Sequence, residues 1–206
     1  MCICLQHVQN PVPSVGNYFL AATSVPGERL LGTAIYVHNQ ITYDTITVNA
    51  DILQISAVAL SLPDNKKLTI CNVYNQPSEN YDLGQFPNIV NQLQQPLLIV
   101  GDFNAHHPIW DSNVTQSDLA GDQIESLIEN HSYCCLNEEN SPTYASKTHG
   151  TMSSIDLALC SPNVVDQFDW IVLDDLYTSD HFPIIIEYIQ DHPTPSIPKF
   201  NFEKAD

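Results

Sequence analysis

Short apolar runs, separated by Pro, Asn, Asp and Gly, dominate the pattern of this chain. Short runs rich in β-branched and aromatic residues between such turn residues are typical of β-strands. The pattern therefore predicts strands at 3–6, 31–37, 41–48, 55–62, 68–74, 97–100, 154–159, 170–173 and 182–188.

Two segments repeat their apolar residues at helical spacing instead. These are 86–93, which is closed by Pro96, and 122–130, which carries acidic residues on its other face. Between them, 97–100 is wholly apolar, as expected of a strand covered on both faces. Many strands with few helices predict an α/β (α+β) fold, a two-layered β-sandwich flanked by helices.

The composition indicates one globular domain. Apolar residues make up 43% and charged residues 15% of the 206 positions, which is not a disordered composition. We expect the domain to span 1–190 and the Pro-containing segment 191–206 to be an extended tail or linker. No apolar run is long enough to span a membrane, and no secretion signal is evident, so we expect a nuclear or cytoplasmic protein without a membrane partner.

The charge is unusual for a nucleic-acid-binding protein. Six Lys and Arg stand against 24 Asp and Glu, a net charge of −18, whereas proteins that hold phosphates tightly are usually basic. Two interpretations remain open. A carboxylate-rich site binds a divalent metal that neutralises a phosphate substrate, or a further domain supplies the affinity for nucleic acid.

The first candidate for chemistry follows the apolar run 97–100. Alternation along a strand would place Asp102 and Asn104 on one side. A carboxylate there can orient or deprotonate water, and an amide can stabilise a developing oxyanion. The alternative is a turn in which both side chains cap local backbone groups.

A second carboxylate and a histidine lie further along the chain. Asp156 interrupts an apolar strand, so it needs a partner, which could be local backbone or Ser154. His181 precedes the most apolar strand and suits acid or base chemistry. A hydrogen bond from the His181 ring to Asp156 would fix the tautomer of the ring and raise the pKa of His181. Asp180 would then be free to bind a metal.

Taken together, these segments resemble a known superfamily. The stretches PLLIVGDFNAHHPIWDS (96–112), SSIDLALCSP (153–162), FDWIVLDDLYTSDHFPI (168–184) and NVYNQPS (72–78) are similar to the endonuclease/exonuclease/phosphatase superfamily. The His-His-Pro-x-Trp extension resembles the endonuclease domain of jockey-like non-LTR retrotransposons. The resemblance covers about 4–188. It implies a DNase I-like fold and hydrolysis of DNA phosphodiesters with Mg²⁺, or alternatively Mn²⁺. The implied partners are DNA and a reverse transcriptase domain.

The resemblance also implies a role for each matching residue. Asp102 corresponds to the water-orienting or base residue and to a metal ligand, and Asn104 to the residue that stabilises the transition state. Asp156 corresponds to the carboxylate that orients the catalytic histidine, His181, which contacts the scissile phosphate. Asp180 corresponds to a metal ligand.

Further residues are expected near the substrate. Tyr74 corresponds to a tyrosine that reaches the phosphate, although aromatic core packing at a strand end is the alternative. Contacts to the substrate are expected from Asn75, His107, Ser154 and Ser179.

The start of the chain departs from this family. The family opens with a strand carrying a metal-facing Asn and continues with Leu-Gln-Glu, whose Glu is the main metal ligand. Here Leu5-Gln6 is followed by His7. We therefore expect an N-terminally truncated chain: a decayed copy, a truncated gene model or a fragment of a longer polyprotein, with retained and lost activity both open. We expect His7 to be an exposed bystander, and a ligand role is the alternative. A non-catalytic binding module and a phosphatase of the same superfamily are the alternative functions.

Overall fold

The computed structural model describes residues 1–24, 31–50, 53–76 and 83–189. The expected tail at 191–206, and residues 77 and 78 of the NVYNQPS stretch, lie outside these ranges. None of the described helices is long and apolar enough to cross a membrane. The described elements are β1 (Cys2–Val8), β2 (Tyr18–Ser24), β3 (Gly32–His38), β4 (Tyr43–Ile46), β5 (Gln54–Ser61), β6 (Lys67–Tyr74), α1 (Phe86–Val90), β7 (Leu97–Asp102), α2 (Leu119–His131), β8 (Cys134–Cys135), β9 (Tyr144–Ala145), β10 (Met152–Ser153), β11 (Asp156–Cys160), β12 (Phe168–Val172) and β13 (Ile184–Tyr188).

The described strands form one large sheet and three smaller ones. The large sheet has six strands in the order β4-β5-β6-β7-β11-β8, and a three-stranded sheet has the order β1-β3-β2. The pairing of β6 with β7 is parallel, and the other pairings are antiparallel. The pairs β9–β10 and β12–β13 complete the set.

The large sheet lies between two apolar clusters because apolar side chains along its strands point alternately to its two faces. On one face, residues such as Cys71, Ile99 and Leu157 pack with side chains of α1 and α2. On the other face, residues such as Ile70 and Leu98 pack against the three-stranded sheet. Successive side chains of a strand point to opposite faces, so a strand covered on both faces is apolar throughout, as predicted for 97–100.

One buried polar residue joins the two layers. The side-chain nitrogen Nδ2 of Asn72, on β6, donates to the backbone carbonyl oxygens of Leu5 at 2.9 Å and Ala34 at 3.2 Å. Asn72 is fully buried, and a buried amide without partners would cost about 1–3 kcal/mol. These bonds therefore stabilise β1 above the end of the large sheet.

Two element boundaries follow from local chemistry. The helix α2 begins at Leu119 because Asp118 caps it, accepting a hydrogen bond from the Gly121 N–H at 2.7 Å. β13 begins at Ile184, two residues later than predicted, because the Phe182-Pro183 step interrupts the ladder. The strands β2, β8, β9 and β10 were not predicted; the last three have two residues each, too few for a periodic signal.

Candidate active site

The ends of three neighbouring strands bring three predicted residues into one row. Tyr74 at the end of β6 lies opposite Asp102 at the end of β7, which in turn lies opposite Asp156 at the start of β11. Gly101 permits this close pairing: it has a φ of +146°, and a Cβ there would lie 1.9 Å from the Val73 carbonyl oxygen. The glycine before Asp102 is therefore required by the sheet.

Asp156 and His181 form the hydrogen bond that the sequence predicts. The Nδ1 atom of His181 lies 2.8 Å from Oδ2 of Asp156. Asp156 is buried, while the His181 side chain is 21% exposed. Because the ionised carboxylate can only accept, Nδ1 carries the proton, and Nε2 is the ring nitrogen left for another partner.

The charges around His181 set its protonation. Burial lowers the pKa of His181, but the hydrogen bond and charge of Asp156, together with the charges of Asp102 and Asp180, outweigh burial and raise the pKa above its ordinary value. Burial raises the pKa of Asp156, which hydrogen bonds from His181 and Thr143 oppose. The predicted rise in the pKa of His181 is confirmed.

The sequence leaves His7 open as an exposed bystander or a metal ligand, and both stay predictions. His7 has a side chain that is 44% exposed, and it lies beside this site. Its Nε2 atom lies 3.2 Å from Oδ2 of Asp102, and its ring lies 4.5 Å from that of Tyr74 and 5.5 Å from that of His181. The β1–β3 pairing shifts register between Leu5 and Val8, and His7 has a φ of +57°. Such bulges redirect a side chain, which strand alternation could not predict.

Asn104 contacts Asp102 by a different route from the one predicted. β7 ends at Asp102, and Asn104 has a φ of +45°, so alternation along a strand does not apply. Instead, the backbone N–H of Asn104 donates to Oδ1 of Asp102 at 3.1 Å. The side-chain nitrogen Nδ2 of Asn104 donates to the backbone carbonyl oxygen of Asn75 at 2.8 Å. Asp102 thus caps local backbone, as in the turn alternative, whereas the side chain of Asn104 bonds to Asn75, which is distant in sequence.

Two buried residues, which the sequence did not indicate, form hydrogen bonds with the backbone around the start of β11. The Thr143 hydroxyl oxygen accepts hydrogen bonds from the Ile155 N–H at 3.2 Å and the Asp156 N–H at 2.9 Å. Asp111 accepts one from the Ser154 N–H at 3.0 Å. Both act across 12 or more residues of sequence, so no local pattern marks them.

Three further residues that are predicted to contact the substrate form hydrogen bonds within the protein. Asn75 is buried, with its amide nitrogen donating to the Phe103 carbonyl oxygen at 2.7 Å. The buried Ser154 donates its hydroxyl to the Ser141 carbonyl oxygen at 3.3 Å. The Ser179 hydroxyl accepts from the His181 N–H at 3.0 Å. Their substrate roles stay predictions.

His107 lies in a different cluster. It is buried with its ring 5.1 Å from that of Trp110, and its Nε2 atom lies 3.5 Å from a carboxylate oxygen of Glu125. Its Nδ1 accepts from the Ile109 N–H at 3.2 Å, so Nε2 carries the proton. The His107 ring therefore packs under the loop, and its predicted contact with substrate stays a prediction.

The potential metal donors of the site do not fit Mg²⁺. One donor atom each of His7, Asp102 and His181 lie within 4.8 Å of one another. Mg²⁺ prefers oxygen ligands in octahedral geometry, and imidazole nitrogen suits transition metals better. Asp180, the predicted ligand, is not part of this group, although its charge acts on His181. Its role as a metal ligand stays a prediction.

Known proteins with similar sequences or folds include a transposon protein and two endonucleases. The chain is 24% identical over 155 residues to the probable RNA-directed DNA polymerase from transposon X-element of Drosophila melanogaster, which covers 75% of this chain and 17% of that protein. This chain thus spans about a sixth of that relative's length.

Two solved structures share the fold. The endonuclease domain of TRAS1, a telomere-specific non-LTR retrotransposon, superposes with a TM-score of 0.72 and 21% identity over 86% of this chain and 83% of that one. The AP endonuclease LMAP from Leishmania major superposes with a TM-score of 0.69 and 13% identity over 92% and 78% of the two chains. The predicted DNase I-like fold class is therefore confirmed.

The sequence itself settles the family. The profile of the family described as Endonuclease-reverse transcriptase matches residues 68–185, more than half of the chain. The match includes Tyr74, Asp102, Asp156 and His181, and it ends within β13. The chain therefore belongs to the endonuclease–reverse transcriptase family.

Proposed function

We propose that this chain hydrolyses phosphodiester bonds in DNA, as the endonuclease domain of a retrotransposon-derived protein. The observation that carries the proposal is the position of Asp102 beside the Asp156–His181 pair, at the ends of adjacent strands. The likeness to the X-element protein supports a reverse transcriptase domain as the partner in a longer chain.

Asp102 is the group suited to orient the attacking water and to accept its proton. It is almost fully buried, and its Oδ1 atom is fixed by the Asn104 N–H. A carboxylate held in this way can orient water and accept its proton, an effect worth about 100- to 10,000-fold in rate. The half-buried Asn104 retains one amide hydrogen beyond that used by Asn75, and it can stabilise the charge of the transition state.

His181 is the group suited to the scissile phosphate. Asp156 fixes the ring through Nδ1, so that Nε2 is directed toward the position of the phosphate or of a cation that holds it. Tyr74 is buried with its ring beside that of His7, and we propose that it borders the phosphate position. These roles belong to the side chains themselves, because the donors present do not fit Mg²⁺.

The net charge of −18 argues that this domain does not hold DNA tightly by itself. A negatively charged domain repels the negatively charged DNA backbone unless cations lie between them. We therefore propose that the affinity for DNA comes from another part of a full-length protein. The same charge favours a second candidate, a non-catalytic module that keeps the fold.

A substrate panel tests the proposal. Supercoiled plasmid and an inositol phosphate are each incubated with the purified chain and with Mg²⁺, Mn²⁺ or Zn²⁺. We expect plasmid nicking, reduced at least about 100-fold in His181→Ala. His106→Asn is the matched control, since His106 pairs with Asp118 at the same 2.8 Å away from this site.

The other outcomes discriminate between the candidates. Phosphate release from the inositol phosphate without nicking would establish a phosphatase. Absence of any turnover, by a chain whose circular dichroism shows it folded, would establish the non-catalytic module. Equal nicking by the chain and by folded His181→Ala would refute the assigned site.

A further inference from the structure

The site combines donors that are unusual for a hard cation. His7, Asp102 and His181 offer two imidazole nitrogens and one carboxylate oxygen, all within 4.8 Å of one another. Three protein ligands with an open fourth position are typical of catalytic Zn²⁺ sites, and Zn–ligand distances near 2.0–2.1 Å imply ligand separations of about 3.3 Å. The pair His7 Nε2 and Asp102 Oδ2 already lies 3.2 Å apart.

The surroundings of His181 match those of a metal ligand. A ligating histidine almost always donates its other ring N–H to a carboxylate or carbonyl, which fixes the ring and raises its basicity. Here Nδ1 of His181 donates to Asp156 at 2.8 Å, and Asp156 is itself held by Thr143. Nε2 of His181 is therefore the oriented nitrogen that can bind an ion.

The backbone also directs His7 into the site. The residue lies at the bulge of β1 with a positive φ of +57°, a conformation that costs a non-glycine residue about 1–2 kcal/mol. A regular strand would turn its side chain to another face. The strained conformation thus holds the third donor beside Asp102.

We propose that His7, Asp102 and His181 form a transition-metal site that selects Zn²⁺ over Mg²⁺. The ion lies between the three side chains and leaves one coordination position for water or a phosphate oxygen. The inference deepens the proposed function by naming the cation of the same cleft. Binding is measured without DNA, so failure of cleavage and failure of the metal site are separate results.

Cobalt spectroscopy tests the site, since Co²⁺ can replace Zn²⁺ and absorbs visible light strongly in tetrahedral coordination. The 206-residue chain is stripped of metal under reducing conditions and titrated with Co²⁺. We expect a saturating tetrahedral spectrum with one ion per chain, displaced by one equivalent of Zn²⁺ and retained in a large excess of Mg²⁺.

Three variants locate the ion. Asp156→Asn, which removes the partner of His181, should weaken Zn²⁺ binding about 10- to 100-fold. His7→Ala, which removes a donor, should weaken it more. Glu125→Gln alters the other group of possible donors, His107, Asp122 and Glu125, and should leave binding unchanged.

Histidine nitrogen NMR on the unmodified chain covers the case in which a variant misfolds. Zn²⁺ should shift the signals of His7 and His181 and leave that of His107 in place. The proposal is overturned if Mg²⁺ displaces Co²⁺, if folded His7→Ala binds as the parent does, or if His107 shifts instead. A thiolate-to-cobalt band would also overturn it, since it would locate the ion at the cysteines.

Discussion

The buried pair of Asp156 and His181 should be strongly coupled, and a double-mutant cycle measures this directly. The cycle compares Asp156→Asn, His181→Ala and the double variant with the parent chain in the presence of a chelator. Hydrogen bonds to charged groups contribute about 1.5–3 kcal/mol. With a 2.8 Å separation and an Asp156 side chain that is only 10% exposed, we expect the upper half of that range near pH 6.

The structure contains a matched control at the same distance. His106 and Asp118 also lie 2.8 Å apart, but their side chains are 45% and 43% exposed. Exposed ion pairs contribute about 0–1 kcal/mol. Asp118→Asn keeps an acceptor at the start of α2, so helix capping is retained. The difference between the two cycles is therefore the effect of burial.

The coupling should also depend on pH with a defined sign. The pKa of folded His181 is raised above its ordinary value of 6.5, so the charge-assisted contribution is fully present below 6.5. It is lost as the pH rises through the folded pKa. The remaining coupling near pH 9 is that of a neutral imidazole N–H and a carboxylate.

Urea denaturation followed by tryptophan fluorescence reports these free energies, because Trp110 and Trp170 are both buried. The reasoning is refuted if the Asp156–His181 coupling near pH 6 is below about 0.5 kcal/mol, a value typical of exposed pairs. A coupling that increases from pH 6 to pH 9 would equally refute it.

Three further predictions concern the sheet end, the support of Asp156 and the charge. Gly101→Ala should lower the free energy of unfolding by at least about 3 kcal/mol, because its Cβ would lie 1.9 Å from the Val73 carbonyl oxygen. The control Gly150→Ala, at a φ of +66° in open space, should lower it by about 1–2 kcal/mol, and equal losses in urea denaturation would contradict this. Thr143→Val should destabilise by about 1–3 kcal/mol because the Asp156 N–H loses its acceptor, and Thr143→Ser by less; the reverse order would refute the assigned hydrogen bonds. Binding to a labelled DNA duplex should not weaken from about 50 to 200 mM salt, given the charge of −18; a steep loss in fluorescence anisotropy would reveal a basic contact surface.

Much of the fold could be predicted from periodicity. The alternating and wholly apolar runs mark the strands of the large sheet because burial on one or both faces imposes those patterns. β2 was missed: its residues 18–24 begin with Tyr18, Phe19 and Leu20, and two of these are exposed. An edge strand with such a mixed pattern carries little periodic signal.

The site could be predicted only in part, because a local feature produces a recognisable sequence pattern and a long-range contact does not. Asp156 is an acidic residue in an apolar strand and therefore requires a partner. The pattern alone leaves local backbone, Ser154 and His181 open, and the family resemblance implies His181. The position of His7 depends on a bulge and a positive φ, and the support from Thr143 depends on a distant hydrogen bond. Neither leaves a local pattern.

Single-turnover nicking of supercoiled plasmid tests the central claim, that Asp102 beside His181 cleaves DNA. The chain is compared with Asp102→Asn and with the control Asp118→Asn, using whichever of Zn²⁺, Mn²⁺ and Mg²⁺ gives the fastest rate. The account predicts nicking by the chain and the control, and a rate lower by about 100-fold or more in Asp102→Asn. Equal rates in all three, or no nicking by the folded parent chain with any of these ions, would contradict it.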